Sequence, residues 1–433
     1  MRSHDWRDLA ILVGCRTRDA DRDQLDESLE ELSRLLETAG GGEAMRLFCE
    51  VRRPTPATFI GAGTVLRIKE QIAELPAEVR CVIFDVDLSP SQQRNLEKEF
   101  EVMVMDRTGL ILDIFAKRAR TSEGRLQVEL AQYEYLLPRL RGMWAHLSRQ
   151  GAGIGTRGPG ETDLEIDRRR IRQRIGALKR QLVKVRATRE LQRTGRRKHG
   201  LPTVALVGYT NAGKSTLLNT LTDAGVFVED QLFATLDPTI RELRLPGNLR
   251  AHLADTVGFI QRLPHQLVES FKATLEEVLV ADLLVHVVDA SHPQMERQTR
   301  SVLEVLEEIG AGDRPRLTVF NKLDLIESAG WVERLVANNQ PAVAISAKTG
   351  LRLDDLLQAL ATILGRERQL LRLRIPLARQ DLLYHVRTQS EVLEEIFEGN
   401  DALLRLRADR RLAGMLRDFV EEEDAPCGDP AGS

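Results

Sequence analysis

Between residues 9 and 118, short apolar runs alternate with stretches in which apolar residues recur every three or four positions. The runs Leu9 to Gly14, Met45 to Val51, Cys81 to Val86 and Val102 to Met105 predict strands, and the periodic stretches near 23–38, 64–75, 90–99 and 108–118 predict helices. Such alternation predicts a small α/β domain with a largely parallel sheet. Residues 120–150 read as one long helix, with Leu126, Leu130, Tyr133, Leu136 and Leu137 spaced by threes and fours. A glycine-rich stretch from Gly151 to Gly160 follows. A second helical stretch then runs from Thr162 to about Arg197, opened by Asp163, Glu165 and Asp167 where the helix dipole favours acids. Together they predict a helical hairpin.

A further α/β block extends from Leu201 to about Gly365, with strands expected at Thr203 to Val207, Leu249 to Ala254, Leu283 to Val288, Leu317 to Phe320 and Ala342 to Ile345. Residues 370–419 pattern as a small α+β unit: Leu371 to Ile375, a helix near 379–387, Ala402 to Leu406 and a helix from Arg410. From Glu421 the chain turns acidic and then rich in Pro, Gly and Ser, the composition of a disordered tail. The expected domains are therefore 1–119 (α/β), 120–200 (hairpin), 201–366 (α/β), 367–420 (α+β) and 421–433 (tail).

Composition narrows the class. An apolar content of 42% excludes disordered and fibrous chains. The best membrane candidate, Ala281 to Ala290, is interrupted by Asp282, His286 and Asp289, so it reads as a buried strand and no membrane span is expected. The N-terminus lacks the apolar core of a signal peptide. Cys15, Cys49, Cys81 and Cys427 form no C-x-x-C pair, which argues against a disulfide framework or zinc site and for a reduced, cytoplasmic protein.

The net charge of −3 hides an asymmetry. Residues 163–198 hold 14 Lys and Arg against four acids, an excess of ten, which leaves −13 on the rest. A basic arm on an acidic body points to a polyanion, and RNA is the expected partner. The contact candidates are Arg168, Arg169, Arg170, Arg172, Arg196, Arg197 and Lys198, with Arg157 at the hairpin tip. Gly153, Gly155 and Gly158 satisfy G-x-G-x-x-G, but they follow a helix and not a strand, so a dinucleotide site is rejected.

Directly after the strand Val204 to Val207 comes Gly208-Tyr209-Thr210-Asn211-Ala212-Gly213-Lys214-Ser215, followed by a helix. This is a phosphate-binding loop in its strand-to-helix setting: glycines admit the backbone to phosphate, Lys214 reaches the β- and γ-phosphates, and Ser215 ligates Mg²⁺. Asp255-Thr256-Val257-Gly258 ends the next strand, where a carboxylate can hold a magnesium-bound water and the Gly258 amide can sense the γ-phosphate. Asn321-Lys322-Leu323-Asp324 ends another. There Asp324 can accept from guanine N1–H and N2–H, Lys322 covers the ring and Asn321 braces the loop. Ser346-Ala347-Lys348 ends the last, with the Ala347 amide a donor to guanine O6. Adenine would leave Asp324 desolvated and unpaired, so GTP and GDP are the expected ligands. Phe233-Ala234-Thr235-Leu236-Asp237-Pro238-Thr239 lies between the first two motifs and predicts a switch loop, with Thr235 closing on Mg²⁺ and the γ-phosphate; Thr239 is its rival.

Residues 9 to 419 resemble the HflX family of ribosome-associated GTPases. The resemblance rests on Gly153-Ile-Gly155-Thr-Arg-Gly158-Pro-Gly-Glu161-Thr162 ahead of a basic helix, on Phe233 to Thr239, which also favours Thr235, and on Asp255-Thr-Val-Gly258-Phe259. It implies binding to the large ribosomal subunit and its rRNA, and GTP-dependent splitting of stalled or stress-damaged ribosomes; a monomer is expected. In the family the N-terminal domain has also been associated with ATP. Here Thr64 stands where a Lys is common, and ATP binding is not carried over.

Lys214, Thr235, Gly258 and Asn211 are the expected catalytic residues. In related GTPases an Asn at the position of Asn211 helps hold a potassium ion, so K⁺ joins Mg²⁺ as an expected cation. Where Ras-like proteins place a water-orienting Gln, this chain has Phe259, which predicts slow intrinsic turnover raised by a partner. Two alternatives stand beside this reading. A tRNA-modification GTPase shares the Asn-bearing loop but carries a C-terminal Cys-Gly-Lys, where this chain has Cys427-Gly428-Asp429. The other is a nucleotide-gated RNA-binding module without productive hydrolysis.

Overall fold

The computed structural model describes residues 9–16, 22–75, 79–140, 160–198, 201–222, 232–233, 239–260, 277–365, 369–408 and 410–423. They belong to two compact units: residues 1–188 with 229–237 and 261–274, and residues 189–228 with 238–260 and 275–433.

In the first unit, strands β1 (Leu9–Arg16), β2 (Gly42–Glu50), β3 (Val79–Phe84) and β4 (Met103–Asp106) form an all-parallel sheet in the order β2-β1-β3-β4. Helices α1 (Arg22–Ala39), α2 (Ala62–Glu74) and α3 (Pro90–Phe100) make the crossovers. Central β1 is buried from Ala10 to Cys15, as a strand covered on both faces must be. Ser89 starts α3 with a capping box, its hydroxyl accepting from the Gln92 N–H while the Gln92 side chain accepts from the Ser89 N–H, and Pro90 occupies the first turn.

Helix α4 (Arg107–Arg118) starts at Asp106, whose buried carboxylate accepts from the Gly109 N–H at 2.8 Å, the Leu88 N–H at 3.2 Å, the Tyr135 hydroxyl at 2.8 Å and Arg139 at 3.1 Å. Burial pushes the Asp106 pKa up, and these donors and the Arg139 charge oppose it. Tyr135 lies on α5 (Ser122–Leu136), so one carboxylate ties that helix to the sheet.

The single helix expected over 120–150 stops earlier, at Leu136. Pro138 has no N–H to continue the ladder, and the next amide, that of Arg139, bonds the Leu136 carbonyl in a tighter turn. Residues 141–150 of the expected helix and the tip at 151–159 lie outside the described residues. The second arm is α6 (Gly160–Lys198), where Ile175, Leu178 and Leu182 pack on Leu126, Leu130 and Tyr133 of α5.

The second unit holds a six-stranded sheet: β5 (Thr203–Gly208), β6 (Thr239–Leu245), β7 (Leu249–Asp255), β8 (Leu283–Asp289), β9 (Arg316–Asn321) and β10 (Ala342–Ala344), in the order β10-β9-β8-β5-β7-β6. Only β6 runs antiparallel. It is not among the expected strands, and as an edge strand it buries few of its side chains. β8 is buried at every residue, His286 included; burial and the nearby cations Arg316 and Lys214 lower that imidazole to about 3, so it is neutral. Helices α7 (Lys214–Thr222), α8 (Met295–Glu308), α9 (Ala329–Asn338) and α10 (Leu353–Gly365) complete this α/β layer.

An antiparallel sheet follows, β12-β13-β11-β14, made of β11 (Gln369–Pro376), β12 (Glu391–Glu398), β13 (Asp401–Ala408) and β14 (Val420–Glu423). On β11, Leu371, Leu373 and Ile375 face α11 (Gln380–Gln389) and α12 (Arg410–Met415), while Arg372 and Arg374 face outward. β12 and β14 are not foreseen in the sequence. β12 has its period broken by a register shift between Val392 and Glu394. Residues 421–423 of the expected acidic tail instead belong to β14, because Glu421 pairs with Arg374 and Glu422 lies opposite Arg372; residues 424–433 of that expectation lie outside the described residues. Asn248, in the turn between β6 and β7, donates to the Arg387 and Ser390 carbonyls at 3.1 and 3.3 Å and joins the two sheets.

Candidate nucleotide-binding site

Four loops meet at the carboxyl ends of β5, β7, β9 and β10, the crevice where an open parallel sheet takes its ligand. The loop after β5 wraps around Lys214, whose Nζ donates to the Gly208 carbonyl at 3.0 Å and the Tyr209 carbonyl at 2.7 Å. Burial lowers this ammonium to about 8, although Asp255 favours its charge. Gly213 has φ 96°, and a Cβ there would sit 2.2 Å from Asn321 Nδ2, so only glycine closes the loop. A Cβ on Gly258 would lie 2.8 Å from Thr210 Cγ2 and 3.0 Å from Lys214 Nζ, which excludes any side chain beside the lysine.

The end of β7 supplies Asp255, fully buried, whose Oδ2 accepts from Ser215 Oγ at 2.6 Å. Thr256 turns away, donating to the Leu206 carbonyl at 2.6 Å. Phe259 is 2% exposed and stitched to the phosphate loop: its N–H donates to the Gly208 carbonyl at 3.1 Å and its carbonyl accepts from the Thr210 N–H at 2.7 Å. Val257 is likewise buried. The ring of Phe259 is therefore core.

On the far side, Asn321 Nδ2 donates to the Ala212 carbonyl at 2.8 Å, while its Oδ1 accepts from the Ala347 N–H at 2.9 Å. The amide expected to serve guanine O6 is thus used to brace the site. Ser346, fully buried, donates to Asp324 Oδ1 at 2.5 Å and accepts from the Thr349 N–H at 3.2 Å, which fixes the carboxylate. The Leu323 N–H donates to the Ile345 carbonyl at 3.1 Å, and Lys348 is exposed.

Gly208 to Ser215, Asp255 to Gly258, Asn321 to Asp324 and Ser346 to Lys348 therefore come together. Ala234, Thr235, Leu236 and Asp237 of the expected switch lie outside the described residues, and Thr239 opens β6. Phe233 is described in the first unit, buried, with its ring set edge-on to Phe115 at a centroid distance of 4.6 Å. Asp289 escaped sequence reasoning except as a charge that interrupts an apolar run. It closes β8, and its Oδ2 lies 2.7 Å from Lys322 Nζ.

On α6 the structure sorts the basic residues. Arg174 and Lys179 pair with Glu129 and Glu134 of α5 at 2.7 and 2.8 Å. Arg168, Arg169, Arg172 and Arg180 line an open groove with Glu165 and Gln173. Arg168 Nε is shielded there without a hydrogen-bond partner. Arg170 lies 3.5 Å from Asp167. Arg196, Arg197 and Lys198 close the helix, and Arg157 lies outside the described residues.

A doubly wound sheet with a lysine-bearing phosphate loop at its centre makes this chain a P-loop GTPase, an enzyme that hydrolyses GTP to GDP and phosphate. Three family models match in succession: GTP-binding GTPase N-terminal over residues 26–116, GTP-binding GTPase Middle Region over 118–196 and 50S ribosome-binding GTPase over 203–322. The chain belongs to the HflX family of GTPases. It is 47% identical to the GTPase HflX of Lacrimispora saccharolytica over 411 residues, 95% of this chain and 96% of that one. It is 48% identical to that of Escherichia coli (strain K12) over 376 residues, covering 86% and 87%. Among solved structures, it matches a GTP-binding protein from Sulfolobus solfataricus in complex with GDP at 25% identity and a TM-score of 0.43, covering 82% of this chain and 98% of that one. Among the described residues no helix is long and apolar enough to cross a membrane.

Proposed function

We propose that this GTPase is a cytoplasmic monomer that binds the large ribosomal subunit and uses the GTP cycle to split or rescue stalled ribosomes. The observation that carries the reading is the arginine groove of α6. Arg169, Arg172 and Arg180 there are exposed, with Arg168 half-buried beside them, while Arg174 and Lys179 are neutralised by α5. Arg168, Arg169, Arg172 and Arg180 offer guanidinium forks to rRNA phosphates, with Arg170, Arg196, Arg197, Lys198 and the tip residue Arg157 extending the contact. The match of residues 203–322 to a 50S ribosome-binding GTPase supports the same partner.

In this reading the nucleotide lies across the four loops. The backbone of Gly208 to Gly213 cradles the phosphates, and Lys214 leaves its two carbonyls to meet the β- and γ-oxygens. The Ser215 hydroxyl suits Mg²⁺, a hard cation that would neutralise charge on the transferring phosphoryl group, and the Asp255 carboxylate beside it would hold a water on that ion. Thr235 would complete that shell. Asp324, held by Ser346, accepts from guanine N1–H and N2–H, and Lys322 covers the ring.

Phe259, locked into the core, cannot orient the attacking water, so hydrolysis is slow until a partner assists. Asn211, at φ 60° in the phosphate loop, is the residue that would help hold K⁺ and add positive charge at the phosphates. Thr235 and Gly258 order the switches on the γ-phosphate, and hydrolysis releases them. The test is sucrose-gradient sedimentation of intact ribosomes with the protein and either GTP or a non-hydrolysable analogue. Conversion to free subunits with GTP supports the reading; unchanged ribosomes under both conditions reject it.

A further inference from the structure

We propose that Asp289 is a positioning residue for the guanine nucleotide, holding the Lys322 ammonium so that the lysine stem is already laid where the purine will stack. The inference rests on the reading of Lys322 as the residue that covers the base. Sheet register creates the pair. Asp289 closes β8 and Asn321 closes β9, and they are direct partners in the parallel ladder, with the Ala290 N–H donating to the Asn321 carbonyl at 3.0 Å. One residue on, Lys322 leaves the strand with φ 67°, in the left-handed region that a side-chain-bearing residue occupies only when its surroundings hold it there.

The carboxylate is not free to follow a mobile lysine. Its Oδ1 accepts from the Ser291 N–H at 3.0 Å and the Ser291 hydroxyl at 2.6 Å, which leaves Oδ2 aimed at Lys322 Nζ, 2.7 Å away. The side chains are 10% and 25% exposed, so the pair is screened far less than a surface ion pair. A four-carbon stem loses much rotamer freedom when ordered, and an ion pair that orders it beforehand removes that loss from nucleotide binding. Lys322 and Asp289 thereby act as one unit, with Ser291 setting the carboxylate.

The test uses the full chain, fluorescent GDP and GTP analogues, steady-state hydrolysis, and thermal melting without nucleotide. Asp289→Asn should weaken GDP and GTP alike by about tenfold, the size of one charge-assisted hydrogen bond, with the loss in KM and not in kcat. Lys322→Ala should weaken them comparably, and the double variant should bind no worse than Lys322→Ala, because the carboxylate acts only through the lysine. Ser291→Ala, which frees the carboxylate without removing it, should weaken binding by about threefold. Wild-type affinity in Asp289→Asn, or losses that multiply in the double variant, would overturn the inference while leaving Lys322 in place. If Asp289→Asn melts too low to assay, unchanged affinity in Ser291→Ala overturns it. Wild-type affinity in Lys322→Ala removes the reading of the lysine itself, and this inference with it.

Discussion

The Ser215 hydroxyl donates to the Asp255 carboxylate across 2.6 Å, joining the first turn of the helix after the phosphate loop to the end of β7. In the proposed reading Ser215 ligates Mg²⁺, a hard cation that takes oxygen ligands, and Asp255 holds a water on that ion. Ser215→Ala and Asp255→Asn should each lower GTP hydrolysis by about a hundredfold or more, the scale seen when one preorganised electrostatic contact to a transition state is lost. Chelating Mg²⁺ from the unaltered protein should have the same effect. Phosphate release at saturating GTP checks this, and undiminished release from either variant would contradict it.

If Lys214 meets the phosphates as proposed, nucleotide binding is expected to depend on pH. Burial depresses its ammonium to about 8 in the free protein, whereas phosphates bind and favour the charged form. GDP affinity should be level below about pH 7.5 and fall above pH 8, by up to about tenfold per pH unit, the limit for one linked proton. Folding stability has the opposite sign. An unfolded lysine stays protonated to a higher pH, so between about 8 and 10.5 the unfolded chain binds more protons and the nucleotide-free protein gains stability from this group. Titration calorimetry with GDP from pH 7 to 9.5 measures the first effect.

Asp324 is fixed by Ser346 before any base arrives. Asp324→Asn replaces an acceptor pair by a mixed donor and acceptor, and should lower GTP affinity by at least about a hundredfold while admitting xanthine nucleotides, whose edge presents the complementary groups. Competition between GTP and XTP for the variant reads the exchange directly.

These positions show where a sequence is informative and where it is silent. The four loops are legible because each demands a fixed residue type at the end of an apolar run, as at Gly213, where a Cβ would meet Asn321. The strands and helices of the parallel sheets are legible because both faces are buried. Asp289 was invisible for a physical reason. Its role exists only through the β8–β9 register, 33 residues away from Lys322 along the chain. The engaged Ala347 amide is likewise a property of Asn321's orientation, not of composition. β14 was hidden because its acids read as a tail until Arg372 and Arg374 of β11 stand opposite them.

The Phe115 and Phe233 rings meet edge-on at 4.6 Å in the first unit, both buried. Phe115→Ala should destabilise that unit by about 3–5 kcal/mol, and a double-mutant cycle with Phe233→Ala should return a coupling of about 0.5–1.5 kcal/mol. Guanidinium denaturation of the four proteins supplies the cycle. Additive losses would show that the rings do not support one another.

The account stands or falls on the outward arginines of α6 meeting a polyanion, and the salt dependence of binding to purified large ribosomal subunits measures that contact most directly. With GTP analogue present, log affinity should fall linearly and steeply with log salt, and changing Arg169, Arg172 and Arg180 to Glu should flatten the slope by about two or more and weaken binding throughout. The same substitutions should leave GDP affinity untouched. A shallow slope shared by the unaltered protein and the variant would contradict the account.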